Sequence, residues 1–436
     1  MTPDLLIVGA GPAGIGAAVE ATANGLSVLL LDENTAPGGR IWQGLETRGA
    51  SDPDEAAALA LIRRFRTSPA RAHWRATVWA IEPDGHVFWS DVDGAHTVQA
   101  QTILLATGTT ERPLPIPGWT LPGVMTVGAA QIALKTAGLL PDANTWLAGQ
   151  GPLLLLYASQ VLDAGGRIGG IIDLSDGFAP LRALPAVTWA SLAELRKGLA
   201  WRRRLTRAGV RWIAATDLRA EGDTQLDAVS FRTLTGWQTE PADLLLLHDG
   251  VIPSVQISRA LGLRHDWNAA QRCWQPMTDE FGRTSAAGIL LAGDAAGITG
   301  ASAAVLSGRI AVRALANLDA AALQAERASH RATRRVLDTL FVPRPMRLHD
   351  TTLVCRCEEV TAAAIRHAAA TGCQGLNQLK AYTRCGMGPC QGRICAPIAA
   401  EVLAEARNVP VAEIELLRTR FPIKPIPVGD LTTLLA

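Results

Sequence analysis

Hydrophobic and polar positions repeat one pattern twice along the chain. Leu5-Leu-Ile-Val leads into Gly9-Ala-Gly11-Pro12-Ala13-Gly14, an alanine-rich stretch to about Asn24, and Ser27-Val-Leu-Leu-Leu-Asp32. Apolar runs without polar alternation suit parallel strands buried on both faces, so this segment predicts strand, glycine turn, helix and strand. The second copy starts at Thr145-Trp-Leu-Ala, turns through Gly149-Gln-Gly151-Pro, continues as a helix to about Asp163 and returns as Arg167-Ile-Gly-Gly-Ile-Ile-Asp173. Two such units predict an α/β protein with two nucleotide-type domains.

Prolines punctuate this pattern. Arg112-Pro-Leu-Pro-Ile-Pro-Gly118 and Leu121-Pro-Gly123 form one expected crossing, and Pro241 to Pro253 a second. Proline fixes φ and removes a backbone donor, so both segments read as linkers rather than strands. Pro343-Arg-Pro345 precedes a cysteine-rich tail. The expected organisation is a first domain in two parts, 1–124 and 246–345, an inserted domain at 125–245, and a C-terminal domain at 346–436. A length of 436 residues, 48% of them hydrophobic, agrees with about three domains.

Lys plus Arg number 41 against 40 Asp plus Glu, a net charge of +1, which leaves no field to gather phosphate backbones. Nucleic acid is not an expected partner. Met1-Thr-Pro-Asp runs straight into a strand with no signal-peptide pattern, and polar residues interrupt the most apolar stretch, Trp146 to Leu162. No transmembrane helix is expected, and the location expected is cytoplasmic, with peripheral attachment at the inner membrane face left open. Arg202, Arg203, Arg204, Arg207 and Arg211 read as a solvated helix face.

Each residue of the first glycine motif has a mechanical role. Gly9 permits the tight turn, Gly11 lets a pyrophosphate approach, Gly14 lets helix and strand pack, and the helix opening at Pro12 and Ala13 points its N-terminus at the phosphates. Asp32, eighteen residues after Gly14, fits the ribose hydroxyls, with Glu33 as the alternative. NAD and FAD both use this fingerprint. Pro37-Gly38-Gly39-Arg40, Leu104-Leu-Ala-Thr107-Gly108 and Ile289-Leu-Leu-Ala-Gly293-Asp294 then resemble, in order and type, segments of the two-dinucleotide-domain flavoproteins of the glutathione and thioredoxin reductase superfamily. That resemblance implies FAD in the first domain, with Gly39, Arg40, Thr107 and Gly108 in its binding turns. Gly293 and Asp294 would meet the pyrophosphate and ribityl chain. Trp42, just after the glycine turn, reads as a residue stacking near the flavin or on a partner.

The second motif departs from the fingerprint, because Leu154 stands where the third glycine would be and is expected to push helix and strand apart. Gly149, Gly151 and Asp173 keep open a site for NAD or another adenine nucleotide, beside the reading that the domain has lost its nucleotide. Residues 1 to 345 hold no Cys-x-x-Cys, so no disulfide relay is expected.

Six of seven cysteines fall from Cys355 to Cys395. Cys355 and Cys357, with Cys385 and Cys390 on a glycine-rich stretch, can converge as four thiolates around an iron–sulfur centre or zinc. The spacing resembles the small helical [2Fe-2S] domain of bacterioferritin-associated ferredoxin, although that domain has Cys-x-x-Cys where four residues separate Cys385 from Cys390. Beside a flavin domain, an electron-carrying cluster makes more chemical sense than zinc. Cys395 reads as a buried thiol rather than a ligand, and Cys273 and Cys373 have no partner at metal spacing.

Glu111-Arg112-Pro-Leu-Pro-Ile-Pro-Gly118-Trp-Thr-Leu-Pro-Gly-Val-Met-Thr126, the altered second motif, Gly293-Asp294-Ala-Ala-Gly-Ile, Cys385-Gly-Met-Gly-Pro-Cys390-Gln-Gly-Arg393 and Phe421-Pro-Ile-Lys-Pro-Ile-Pro together resemble one family over essentially the whole chain. It comprises the FAD and iron–sulfur subunits of octopine and nopaline oxidases, hydrogen cyanide synthase, D-hydroxyproline dehydrogenase and dye-linked L-proline dehydrogenase. The resemblance implies a partner flavoprotein subunit like D-amino-acid oxidases that oxidises an amine, a further small ferredoxin-like subunit, and FMN at the subunit contact in some relatives. It implies an oxidoreductase subunit that takes the electrons onward. No catalytic residue stands out, and no His, Tyr or Arg constellation marks an amine pocket. Pro113 to Val124 and Phe421 to Pro427 are expected contact surfaces. Two other readings stay open: a self-sufficient NAD(P)H-dependent reductase, and a non-catalytic member whose cofactors only hold an assembly together.

Overall fold

The computed structural model describes residues 2–142 and 144–434. The apolar runs form two separate parallel sheets. The first has the order Ile289–Leu291, Thr102–Leu105, Leu5–Val8, Val28–Asp32, Arg71–Trp74, so a strand from late in the chain closes a sheet begun at its start. Helix Pro12–Ala23 starts with proline at its first turn, where no backbone donor is missed. It packs on helix Ala301–Leu315, and a Cβ on Gly308 of that helix would lie 2.1 Å from the carbonyl oxygen of Ala13. A glycine there sets how closely the two helices approach.

The second sheet runs Arg211–Ala214, Gly170–Asp173, Thr145–Gln150, Leu244–Asp249, Val124–Thr126, again parallel. An antiparallel meander of Asp217–Glu221, Ala228–Thr233 and Gly236–Pro241 packs on it through Phe231 against Trp146. The segment from Pro241 to Pro253 is therefore a crossing only at its end, Val251–Pro253, and is otherwise part of the second domain. Its prolines sit at strand ends, and between them Leu245, Leu246 and Leu247 are buried in a central strand that extends the second sheet to Asp249, past the expected boundary at 245. The true connection is a two-stranded antiparallel ribbon, Thr109–Glu111 with Val251–Pro253, through which the chain enters and leaves the second domain.

Leu154 does not force helix Pro152–Asp163 from its sheet. It is 2% exposed and packs with Val127, Ala130, Leu147, Tyr157 and Leu246, so its bulk fills the core between this helix and its neighbour Val127–Ala137. Trp42 is likewise buried with Leu45 and Phe65 in the first domain's core rather than displayed. The arginine stretch lies on helix Trp189–Arg207 and the strand after it; Arg202, Arg203, Arg204 and Arg207 are exposed, as a solvated face requires, and Arg202 lies over the ring of Trp212.

The C-terminal region is a hairpin, Leu353–Cys355 with Val360–Thr361, and helices Ala362–Ala370, Leu376–Thr383 and Cys395–Arg407. Its core, including Ile398 and Leu403, is continuous with that of the second domain through Trp119, whose indole donates to the carbonyl of Leu353 at 2.8 Å. Both expected contact surfaces are partly consumed inside the chain: Ile116 and Trp119 belong to this core, and Phe421 and Ile426 pack on Trp79 and Ala80. Among the described residues, no helix is long and apolar enough to cross a membrane.

Candidate functional site: a cavity between two glycine turns and a group of thiols

The first turn works by close approach. A Cβ on Gly9, at φ +107°, would lie 2.4 Å from the carbonyl oxygen of Ala106, and one on Gly14 would lie 1.8 Å from that of Gly9. Gly39, at φ +57°, lies against Gly11, and Gly293, at φ +68°, against Ala13, so the segments picked out by sequence meet around one turn. Asp32 uses both oxygens within the chain: Oδ2 accepts from the backbone N–H of Ala10, and Oδ1 from the backbone and side chain of Asn34, each at 2.7 Å. It therefore fixes the turn itself. Glu33 pairs with Lys424 from the C-terminal tail. Asp294 accepts from the backbone of Thr299 at 2.8 Å and Gly300 at 3.1 Å, and burial pushes its carboxyl above the usual range.

Gly9, Gly11, Asp32, Glu33, Gly39 and Asp294, though not Gly14 or Gly293, line a cavity of about 800 Å³ that Arg40, Thr107 and Gly108 also border and that continues to the second glycine turn. It is large and enclosed enough for a cofactor. Gln256 Oε1, buried with no hydrogen-bond partner, belongs to a residue of its wall. A glycine cradle, a deep cavity and an unmet polar atom fit a flavin dinucleotide.

At the far side, Gly149 and Gly151 hold positive φ and Pro152 opens the helix, so the turn survives the loss of the third glycine. Asp173 accepts from Ser175 N–H at 2.8 Å and Trp212 Nε1 at 3.0 Å. Three polar residues that sequence reasoning missed stand here. His248 Nδ1 lies 2.5 Å from Glu111 Oε1, and Asp249 accepts from Gln150 Nε2 at 2.7 Å with Arg112 opposite. Burial raises the Asp249 carboxyl, against the pull of Arg112 and the Gln150 hydrogen bond. The available signal was a His-Asp pair directly after a run of leucines, placing polar groups at the end of a buried strand.

Two of the four expected thiol ligands, Cys355 and Cys385, meet with Cys395, while the other two, Cys357 and Cys390, pair with each other outside that buried group. The Sγ atoms of Cys355, Cys385 and Cys395 lie within 4.8 Å of one another, all buried. Hydrogen bonds from Cys385 and Cys395 hold the Cys355 thiol well below its usual range, while sharing with Cys355 pushes Cys385 up. Cys390 is half-buried and hydrogen-bonds exposed Cys357. A Cβ on Gly388 would lie 2.3 Å from that of Cys357, so the glycine-rich turn is what lets the two segments meet. Cys395 escaped the sequence reading as part of the group because it starts a helix rather than sitting on the turn. Cys273 and Cys373 lie apart, Cys373 donating to the carbonyl of Gly375. Arg393 and Ile394, between Cys390 and Cys395 in sequence, line the cavity, although none of the cysteines does.

Two dinucleotide-type domains joined by an antiparallel ribbon, with the cavity between their glycine turns, define a flavin-dependent oxidoreductase. The chain belongs to the pyridine nucleotide-disulphide oxidoreductase family, which matches residues 3–168 and 182–310, while the sarcosine oxidase A3 domain matches 349–433. Within that family it stands with opine oxidase subunits: it is 43% identical to one from Agrobacterium tumefaciens over 99% of this chain and 92% of that protein. It is 33% identical to hydrogen cyanide synthase subunit HcnB of Pseudomonas aeruginosa over 97% of both. The L-proline dehydrogenase structure from P. horikoshii shares the fold, with a TM-score of 0.73 at 20% identity over 99% of this chain and 79% of that one.

Proposed function

We propose that this chain is the electron-carrying subunit of a heteromeric amine dehydrogenase, whose substrate is an amino acid or opine that a partner flavoprotein subunit oxidises. Arg393 and Ile394 carry the reading, because the segment between Cys390 and Cys395 lines the same cavity as the first glycine turn. A flavin accepts two electrons and can release them singly, whereas an iron–sulfur cluster takes one, so the pair converts two-electron chemistry into single-electron output. FAD would be held by the Gly9–Gly14 turn, Asp32 or Glu33, Gly39, Arg40, Thr107, Gly108, Gly293 and Asp294. The protein's part is to fix the pyrophosphate on backbone N–H groups, keep the Asp294 acceptor out of water, and close the cavity against the thiol turn. A [2Fe-2S] cluster would lie on Cys355, Cys357, Cys385 and Cys390. The second turn, with Gly149, Gly151 and Asp173, would hold NAD or another adenine nucleotide, and FMN would lie at the subunit contact.

The resemblance to opine oxidase subunits supports a D-amino-acid-oxidase-like partner and a small ferredoxin-like one, in the cytoplasm. Anaerobically purified, dithionite-reduced protein tests the relay: iron, inorganic sulfide and a cluster EPR signal are expected, and stoichiometric zinc without iron would refute it. The reductase alternative gains from the intact second turn. Rapid mixing with NADH and NADPH decides it, since flavin bleaching at catalytic rates would establish that alternative.

A further inference from the structure

Three glycines crowd the His248–Glu111 pair, one of them against the buried imidazole ring. A Cβ on Gly149 would lie 1.7 Å from the carbonyl oxygen of His248, one on Gly151 3.4 Å from Cδ2 and Nε2 of its ring, and one on Gly128 2.5 Å from Oε2 of Glu111. The His248 side chain is 3% exposed, and its Nδ1 faces Glu111 Oε1 at 2.5 Å. Glu111 is itself held by the backbone N–H of Gly128, which donates to Oε2 at 2.9 Å. Nε2 has no hydrogen-bond partner among the described residues, and His248 lines the cavity with Gly151, Pro152 and Leu153.

That turn opens a helix of 12 residues, where free backbone N–H groups and the helix dipole favour an anion. With Nδ1 turned to Glu111, Nε2 is the ring nitrogen left to face this terminus. The other charged groups packed on the pair are Asp249 and Arg112, 3.9 Å apart.

We propose that His248, aligned by Glu111, is the phosphate-recognising side chain of the second glycine turn, its Nε2–H donating to the pyrophosphate of an adenine nucleotide. The inference rests on the reading that this turn holds a nucleotide. His248 contributes the donor, and Glu111 is the positioning residue that sets its ring.

The test is calorimetric titration of the FAD-loaded complex with ATP, NAD and adenosine, flavin absorbance reporting that the fold and first site are intact. H248L should bind ATP and NAD about 10-fold or more weakly than wild type, the loss expected for a hydrogen bond to a charged group, with adenosine unchanged. H248Q, which keeps an uncharged donor, should fall between, and E111Q should weaken ATP without affecting adenosine. Equal ATP affinity in wild type and H248L would overturn the inference and leave the second-site reading standing. Failure of wild type to bind either ATP or NAD would overturn both. If H248L loses FAD, H248Q decides: weakened ATP binding supports the inference and unchanged binding overturns it.

Discussion

Gly14 shows how one missing side chain holds the site together. Its ideal Cβ would sit 1.8 Å from the carbonyl oxygen of Gly9, a backbone atom that cannot swing aside. Gly14→Ala should cost about 1–3 kcal/mol of stability and abolish FAD retention, read as flavin absorbance after desalting. Retention of full FAD would refute the cradle. This role was legible in the sequence because the fingerprint ties each glycine to a turn. Glu111 and His248 were not, since 137 residues separate them and only the return of the chain through the ribbon brings them together. The thiol group falls between these cases. Its outer pair follows from spacing, but burial of Cys395 beside Cys355 and Cys385 depends on how helix Cys395–Arg407 docks. Cys395→Ser should keep the EPR signal of the reduced cluster and Cys385→Ser should lose it; the reverse would move the fourth ligand to Cys395.

Individual elements respond to packing that periodicity does not report. The second glycine motif was legible as strand, turn and helix, yet the role of Leu154 was not, because it depends on the pocket that the neighbouring helix Val127–Ala137 offers. Leu154→Ala should therefore destabilise by about 2–5 kcal/mol in chemical denaturation, and a change near zero would show that the residue fills no core. The strand Leu244–Asp249 was hidden behind its flanking prolines for a related reason: proline position within a strand, not its presence, decides whether pairing survives. Helix Pro53–Arg66 gives a pH test. Its N-cap Asp52 accepts from Glu55 N–H at 2.8 Å. Burial raises the Glu55 carboxyl, but hydrogen bonds from Arg48 and Ser51 outweigh it and hold the group at about 2 against an ordinary 4.5. A depressed carboxylate stabilises the fold above its ordinary value and loses that contribution as pH falls through the depressed one. The stability gap between wild type and Glu55→Gln should be largest above pH 4.5 and shrink toward pH 2. A gap that is constant with pH would contradict the ion pair.

At the scale of the molecule, the cavity between the two sheets and the cysteine-bearing segment come together at Arg393 and Ile394, which line the cavity. This closeness was not legible in the sequence, where the first glycine turn and the cysteine tail stand more than 300 residues apart. Electron transfer between subunits needs cofactors held close together, so the complex should be permanent and its interface sizeable. The measurement that tests this account most directly is dye reduction by the chain expressed alone and with its flavoprotein partner, assayed with opines, proline, hydroxyproline and glycine. Turnover is expected only from the co-purified complex, on at least one of these amines. Full turnover by the chain alone on any of them would contradict the division of labour.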